Sequence, residues 1–201
     1  MGAVRLLAIA ALFLAPLPAV AQGVAAWRPY VIEASARYGV PVAWIERVMR
    51  IESNGQTLYG GRPIVSSAGA MGLMQLMPAT WTAMRGMAGL GTDPFDPHDN
   101  IVAGTLYLRL LYDRFGYPGM FAAYNAGPGR YGDYLAGRRR LPGETIRYLA
   151  VTSGAGAAGP ATPVVRTTSP ALDRLFVRAR ASGDEPGIAP GASLFAIRKG
   201  D

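Results

Sequence analysis

The chain has 201 residues, no cysteine, one histidine and a formal charge of +7. Without cysteine there are no disulfides, no thiol nucleophile, no lipid-bearing cysteine and no thiolate metal site. With His98 the only histidine, a histidine-rich metal site is excluded, and a Ser-His-Asp triad would have to use that one residue. Between Pro97 and Asp99, it reads as a surface residue near a helix start.

The opening "MGAVRLLAIAALFLAPLPAVAQG" has one early charge, Arg5, then an apolar run from Leu6. It ends in Ala19-Val20-Ala21, a small-residue cleavage pattern. Pro16 and Pro18 break the run, which is short for a membrane span. We expect residues 1–21 to be an export signal, cut after Ala21. No later stretch is apolar enough to span, so the mature protein is expected to be periplasmic or secreted, with no membrane span.

From Trp27 to Tyr38 the spacing is helical: Val31, Ala34, Ser35 and Tyr38 share a face, and Gly39 ends it. Pro41 is suited to open a second helix, because its missing N–H costs nothing there. That helix is expected to reach about Ser53, where Asn54-Gly55 stops it. Residues 55–73, rich in Gly, Ser and Pro, predict loop or short strand. Pro78 starts a third helix, "PATWTAMRGM". In "TDPFDPHDN", Asp96 is the expected N-cap, Pro97 the first helical residue and Asp99 the third-position acid. The helix that follows places Ile101, Thr105, Leu108, Tyr112 and Phe115 on one face and closes at Gly116. "PGMFAAYN" predicts a short helix broken by "AGPG", and Pro142 opens a last one, "PGETIRYLAV". No strand-period region exceeds a few residues, so the body should be mainly α. From about Ser153 the composition shifts to "SGAGAAGPATPVV". Residues 151–201 are therefore expected to be a flexible tail rich in Gly, Ala and Pro. Leu172, Leu175, Phe176 and Ala179 recur in it at helical spacing. Residues 22–150 form the one expected domain.

That domain holds 13 Arg against 9 acids, and the tail 6 basic against 4 acidic residues. A basic exported protein is drawn to anionic surfaces such as wall polymers or lipid headgroups. Arg138-Arg139-Arg140 is the longest basic run. It lacks interleaved aromatics, so no nucleic-acid partner is expected.

Glu52 stands out. Ile45, Val48, Met49 and Glu52 fall at i, i+3, i+4 and i+7, so a carboxylate finishes an apolar stripe. Desolvation there raises a carboxyl pKa. The negative end of the helix dipole in the last turn acts the same way. A carboxyl held protonated near neutral pH is suited to general-acid work. The alternative is a Glu that reaches solvent or pairs with Arg47 or Arg50.

Four further segments accompany "IES": "SSAGAMGLMQLMPATW" (66–81), "DPFDPHDNIVAGTLYLRLLYDRFG" (93–116), "AAYNAGPGRY" (122–131) and "ETIRYL" (144–149). In this order and spacing the chain resembles the soluble lytic transglycosylase family over roughly residues 27–150. The resemblance implies a mainly α, lysozyme-like fold of the α+β lysozyme superfamily, as a single domain. It implies Glu52 as catalytic acid/base, with Ser53 completing the Glu-Ser pair. Ser66, Gln75 and Met77 match groove-lining positions. Tyr124 and Asn125 match the Tyr-Asn-Ala-Gly turn beside the acid. Glu144 and Tyr148 match the motif that closes the groove from the other side. Amides and hydroxyls suit sugar hydroxyls and acetamides, and flat apolar surface suits ring faces. For Met71, Leu73, Met74 and Leu76 we expect ordinary core packing. Tyr124 and Asn125 admit a purely structural role, pinning the turn. One departure is visible: "NGQTLYGGRPIVS" is longer than the family's usual spacing, and offers Tyr59 and Arg62 as contacts at the groove edge.

The resemblance implies cleavage of peptidoglycan glycan strands between N-acetylmuramic acid and N-acetylglucosamine, with one Glu, no water, no metal and no cofactor, leaving a 1,6-anhydro end. Two alternatives stay open. One is a goose-type lysozyme-like hydrolase, which needs a second carboxylate to position water. The other is a peptidoglycan-binding assembly module of a secretion system that docks a protein partner through the tail.

Overall fold

Proline and glycine punctuate the chain throughout residues 23–153, which are those described by the computed structural model. A 3-10 turn, Val24–Trp27, leads into helix α1, Arg28–Tyr38, which Gly39 ends in the left-handed region at φ 64°. Its inner face is Val31 and Ala34, both fully buried. Helix α2, Val42–Glu52, follows Pro41. Pro41 is extended (ψ 133°) and stands just outside the helix, not as its expected first residue. Asn54 and Gly55, at φ 53° and 74°, turn the chain away. A side chain at Gly55 would meet the Val24 backbone nitrogen at 2.4 Å, so the close approach admits only glycine there.

The predicted loop region is a short hairpin and a folded-back turn. Strands β1, Leu58–Tyr59, and β2, Arg62–Pro63, pair antiparallel with Tyr59 opposite Arg62. Gly60 and Gly61 at φ 57° and 76° make the two-residue connection whose twist matches its strands. Beyond it Val65 bridges Met71, and Met71 bridges Leu76.

Helix α3, Pro78–Ala88, starts on its proline and ends on Gly89. Helix α4, Pro97–Phe115, opens as expected: the Asp96 carboxylate accepts from Asp99 N at 2.9 Å. The single apolar face expected for α4 is overturned. Every residue from Asn100 to Leu108 is buried, as is Leu111. Helices α1 and α3, together with α5 (Gly119–Ala126), pack around it. Amphipathic periodicity describes a surface helix, and this one is central. Gly104 makes room for the Met74 side chain, which would lie 2.6 Å from an added Cβ.

Gly127 breaks the chain after α5 as predicted, but a further helix, α6 (Pro128–Leu135), follows directly. Gly129 and Gly132 weaken its helical signal, while Tyr131 secures it by packing edge-on against Phe115. Pro142 again stands one residue outside its helix, α7 (Gly143–Thr152). α7 thus runs two residues past the end of the expected domain. The mainly α architecture holds. Trp44 knits α2 to the rest, lying within about 6 Å of the Tyr112, Tyr117 and Phe121 rings. Among the described residues no helix is long and apolar enough to cross a membrane. The expected signal and all but the first three residues of the expected tail lie outside the described residues.

Asn100, fully buried, fastens two segments to α4. Its Oδ1 accepts from Met74 N at 2.7 Å, and its Nδ2 donates to Met71 O (3.1 Å) and Pro94 O (2.9 Å). Asn100→Ala would leave these backbone groups buried and unpaired, so a loss of about 2–4 kcal/mol is expected in urea unfolding. Asp96→Ala, which removes only the cap, should cost about 1 kcal/mol.

Candidate active site

Glu52 is the last residue of α2, reached by a face whose other members, Ile45, Val48 and Met49, are fully buried. It is half-buried itself. The Tyr148 hydroxyl on α7 donates to Glu52 Oε1 at 2.8 Å. Burial pushes the Glu52 carboxyl up from the ordinary 4.5 to about 7, against the smaller opposing pull of the Tyr148 hydrogen bond. No neighbouring carboxylate contributes to this shift. Among the described residues Glu52 has no ion-pair partner. Arg47, a candidate for that place, instead donates to the Thr152 carbonyl.

Two tyrosine hydroxyls lie within reach of the acid's charge. Tyr148 and Tyr124 are both raised well above the usual tyrosine range, first by burial and then by the Glu52 charge. Tyr107, whose ring lies 5.3 Å from that of Tyr124, is raised by burial alone. All three remain neutral hydroxyls at physiological pH.

The turn from Gly72 to Leu76 forms the wall next to this group. Ser53, buried, places its hydroxyl 2.8 Å from Leu73 O and accepts from Gly55 N at 3.1 Å. The Tyr124 hydroxyl donates to Met74 O at 2.7 Å, and Asn100 holds the same turn from α4. Gln75 sits at φ 47°, an unusual conformation for a residue with a side chain, and its Nε2 donates to Gly72 O at 2.8 Å. Met77, half-exposed, caps α3 just beyond.

Thus contacts bring Glu52 to Tyr148, and bring both Ser53 and Tyr124 to the turn that carries Gln75. Asn125, buried, accepts from the Thr145 hydroxyl on α7 at 2.8 Å through Oδ1, while its Nδ2 is buried with no partner. Glu144 lies in the first turn of α7, half-exposed. Ser66 serves its own turn, its hydroxyl accepting from Ala70 N at 2.9 Å. Tyr59 and Arg62 are exposed on the hairpin. Asn100, Tyr107 and Thr145 were not legible as site residues. Asn100 reads as part of the "DPHDN" turn, and Tyr107 lies off the expected α4 face. Thr145 is hidden between two better candidates in "ETIRYL".

His98 lies at the start of α4, between Asp99 (2.9 Å) and Glu33 on α1 (3.0 Å), and those bonds raise its pKa. Asp96, His98 and Asp99 offer ligand atoms within 4.8 Å of one another. Those atoms already cap α4, pair with each other and bind Gly91 N, so the cluster is explained as helix-start structure.

A mainly α, lysozyme-like body carrying one desolvated glutamate among neutral hydroxyls is the class that fold and site define. The chain belongs to the Transglycosylase SLT domain family, which matches residues 29–146. It is 45% identical over 79 residues to the soluble lytic murein transglycosylase of Escherichia coli K12, an alignment covering 36% of this chain and 12% of that protein. It is 32% identical over 134 residues to the transglycosylase of Enterobacteria phage PRD1, covering 66% of this chain and 46% of that protein. Among solved structures it resembles the lytic transglycosylase Slt of Pseudomonas aeruginosa, determined as an inactive glutamate-to-glutamine mutant. The TM-score is 0.54 at 29% identity, over 62% of this chain and 22% of that one. The chain therefore spans less than half the length of either curated relative.

The raised carboxyl makes a sign-definite prediction. In the unfolded chain Glu52 ionises near 4.5, and in the folded chain near 7, so its ionisation favours unfolding. The cost is absent below about pH 4, grows between the two values and is constant above them. Glu52→Gln should leave the unfolding temperature unchanged at pH 4. At pH 8 it should raise stability by on the order of 1–3 kcal/mol, read by calorimetry.

Proposed function

We propose that this chain is a peptidoglycan lytic transglycosylase with Glu52 as its single acid/base. The observation that carries the proposal is the carboxyl raised to about 7 by burial and held by the Tyr148 hydroxyl. Family membership and the relatives' names support the reaction class.

Glu52 donates its proton to the oxygen linking N-acetylmuramic acid to N-acetylglucosamine, and the bond to the muramic C1 breaks. The substrate's own acetamide stabilises the cationic centre, a recognised exception to two-carboxylate chemistry. Glu52, now a carboxylate, accepts the proton of the muramic C6 hydroxyl as that oxygen bonds to C1. The product is a 1,6-anhydro end; no water is added and Glu52 is reprotonated. A group that gives and then takes a proton works best with a pKa near the working pH. Tyr148 holds the carboxyl in place, and Gln75, Met77, Ser66, Tyr124, Asn125 and Glu144 bound the strand's groove. Hydrolysis would instead need a further carboxylate placed to hold water.

On the same proposal, residues 1–21 direct export, the enzyme domain expected over 22–150 extends through the end of α7 at Thr152, and the sequence that follows engages a protein partner.

Purified peptidoglycan digested with the protein should yield anhydro ends by mass spectrometry, and Glu52→Gln should lower their release by about 10²–10⁴-fold. Ends heavier by one water would overturn the lyase reading in favour of hydrolysis. Activity should fall as pH rises through about 7, because the acid form is lost. Tyr148→Phe removes the bond that lowers the Glu52 pKa, so its alkaline limb should lie at higher pH. An unmoved limb would count against Tyr148 acting on the carboxyl.

A further inference from the structure

Helix α6 ends in a tightly bonded turn that leads into the chain's longest basic run, Arg138-Arg139-Arg140. Gly137, at φ 70°, is its left-handed residue; Gly137 N donates to Tyr134 O (2.9 Å) and Arg138 N to Asp133 O (2.8 Å). In a glycine cap of this kind the outer pair, here Asp133 and Arg138, commonly shares an apolar contact. An ion pair stands in its place. Asp133 Oδ1 accepts from Arg138 Nε (3.0 Å) and Nη2 (2.6 Å), and Asp133 Oδ2 lies 3.9 Å from Arg139 Nε. The Asp133 side chain is 21% exposed and those of Arg138 and Arg139 are 59% and 58% exposed, so the cations stand outward over a sheltered anion. Arg140, also exposed, follows. Tyr134 adjoins Asp133 in the chain, and its ring stacks at 5.9 Å on that of Tyr131, which is buried against Phe115. Tyr134 is therefore held in place and yet 42% exposed, with Leu135 after it 59% exposed. A fixed aromatic beside gathered guanidinium groups has little side-chain freedom to lose on meeting a ligand.

We propose that Tyr134, Arg138, Arg139 and Arg140 form an accessory binding site for the polymer, in which a sugar face lies on the Tyr134 ring and the arginines pair with carboxylates along the strand. The ligand class is an N-acetylated glycan that bears carboxylates, as muramic acid does. The inference rests on the proposed glycan-cleaving function. A guanidinium meets a carboxylate with two parallel N–H donors, and flat apolar surface suits a ring face. Three arginines against one aspartate leave a surplus of two positive charges in the patch. A lipid surface fits it less well, because basic clusters that read anionic headgroups hold about four to eight Lys or Arg. Two contacts on one polymer reinforce each other, since the first raises the local concentration of the strand for the second. The patch holds the polymer and takes no part in the bond-breaking step.

The test is co-sedimentation of the full chain with insoluble peptidoglycan, in the Glu52→Gln background so that the polymer stays intact. The double variant Arg139→Gln, Arg140→Gln leaves the Asp133–Arg138 pair in place. It should raise the apparent Kd about fivefold, the worth of two exposed ion pairs, with an unchanged unfolding temperature. Tyr134→Ala should weaken binding as well, and Tyr134→Phe, which keeps the ring, should bind as the parent does. The difference between parent and double variant should close at about 1 M salt, where screening acts within about 3 Å, and on peptidoglycan whose carboxylates have been converted to amides. With Glu52 intact, the double variant should raise KM on peptidoglycan and leave kcat where it was. Unchanged binding in the double variant, or a difference that survives salt and amidation, would overturn this inference alone. So would a difference seen on phosphatidylglycerol vesicles and not on peptidoglycan. A parent protein that neither binds peptidoglycan nor releases ends from it would overturn the inference together with the function on which it rests.

Discussion

One carboxyl, desolvated at the end of an apolar helix face, sets the terms for everything around it. Ile45, Val48 and Met49 carry the face into the core, and Glu52 comes next on it. A carboxylate there is costly unless it is paired with a cation or kept protonated. Among the described residues no cation pairs with it. Arg47 is drawn off to the Thr152 carbonyl, and the hydroxyl that bonds the acid, that of Tyr148, is kept neutral by burial. A cation at hydrogen-bond distance would have lowered the carboxyl pKa and removed the acid form at neutral pH. Tyr148 fixes the carboxyl's position with a single hydrogen bond, and that bond offsets only part of the desolvation.

The site is assembled from segments far apart in sequence, so its precision depends on how the Gly72–Leu76 turn is held. Ser53 reaches it from the end of α2, Tyr124 from α5 and Asn100 from the central helix. Gly72 is required there: a Cβ would lie 2.5 Å from the Asn100 amide. These bonds hold Gln75 in a left-handed conformation that a side chain disfavours by roughly 1 kcal/mol or more. Such strain persists only where the surroundings over-determine it, and here three side chains from three helices do so.

Much of the fold was legible because its boundaries are written in proline, glycine and one capping aspartate. Gly39, Pro78, Asp96, Gly116 and Gly127 all act where their chemistry places them. Pro41 and Pro142 were misjudged by one residue, since a proline suits the cap position as well as the first turn. Helix α6 was illegible because its glycines lower local propensity, and its stability comes from a tertiary contact, Tyr131 on Phe115. The face of α4 was misread for a related reason: periodicity reports one solvent boundary, and a helix with neighbours all round has none. In the site, Glu52 was legible because a charge interrupts an apolar stripe. Asn100 and Thr145 were not, because a buried polar residue looks the same in sequence as one that faces water. Only the packing distinguishes them.

On the proposed reaction, a single group that gives a proton and then takes one back needs its two charge states close in free energy at the working pH. Burial alone would push Glu52 too far toward the neutral form, and a cation would push it too far toward the anion. Desolvation opposed by one neutral hydrogen-bond donor leaves the carboxyl near 7, between those limits. Tyr148 meets that requirement better than any charged residue, because its own hydroxyl, raised by burial, stays a donor through both states of the acid.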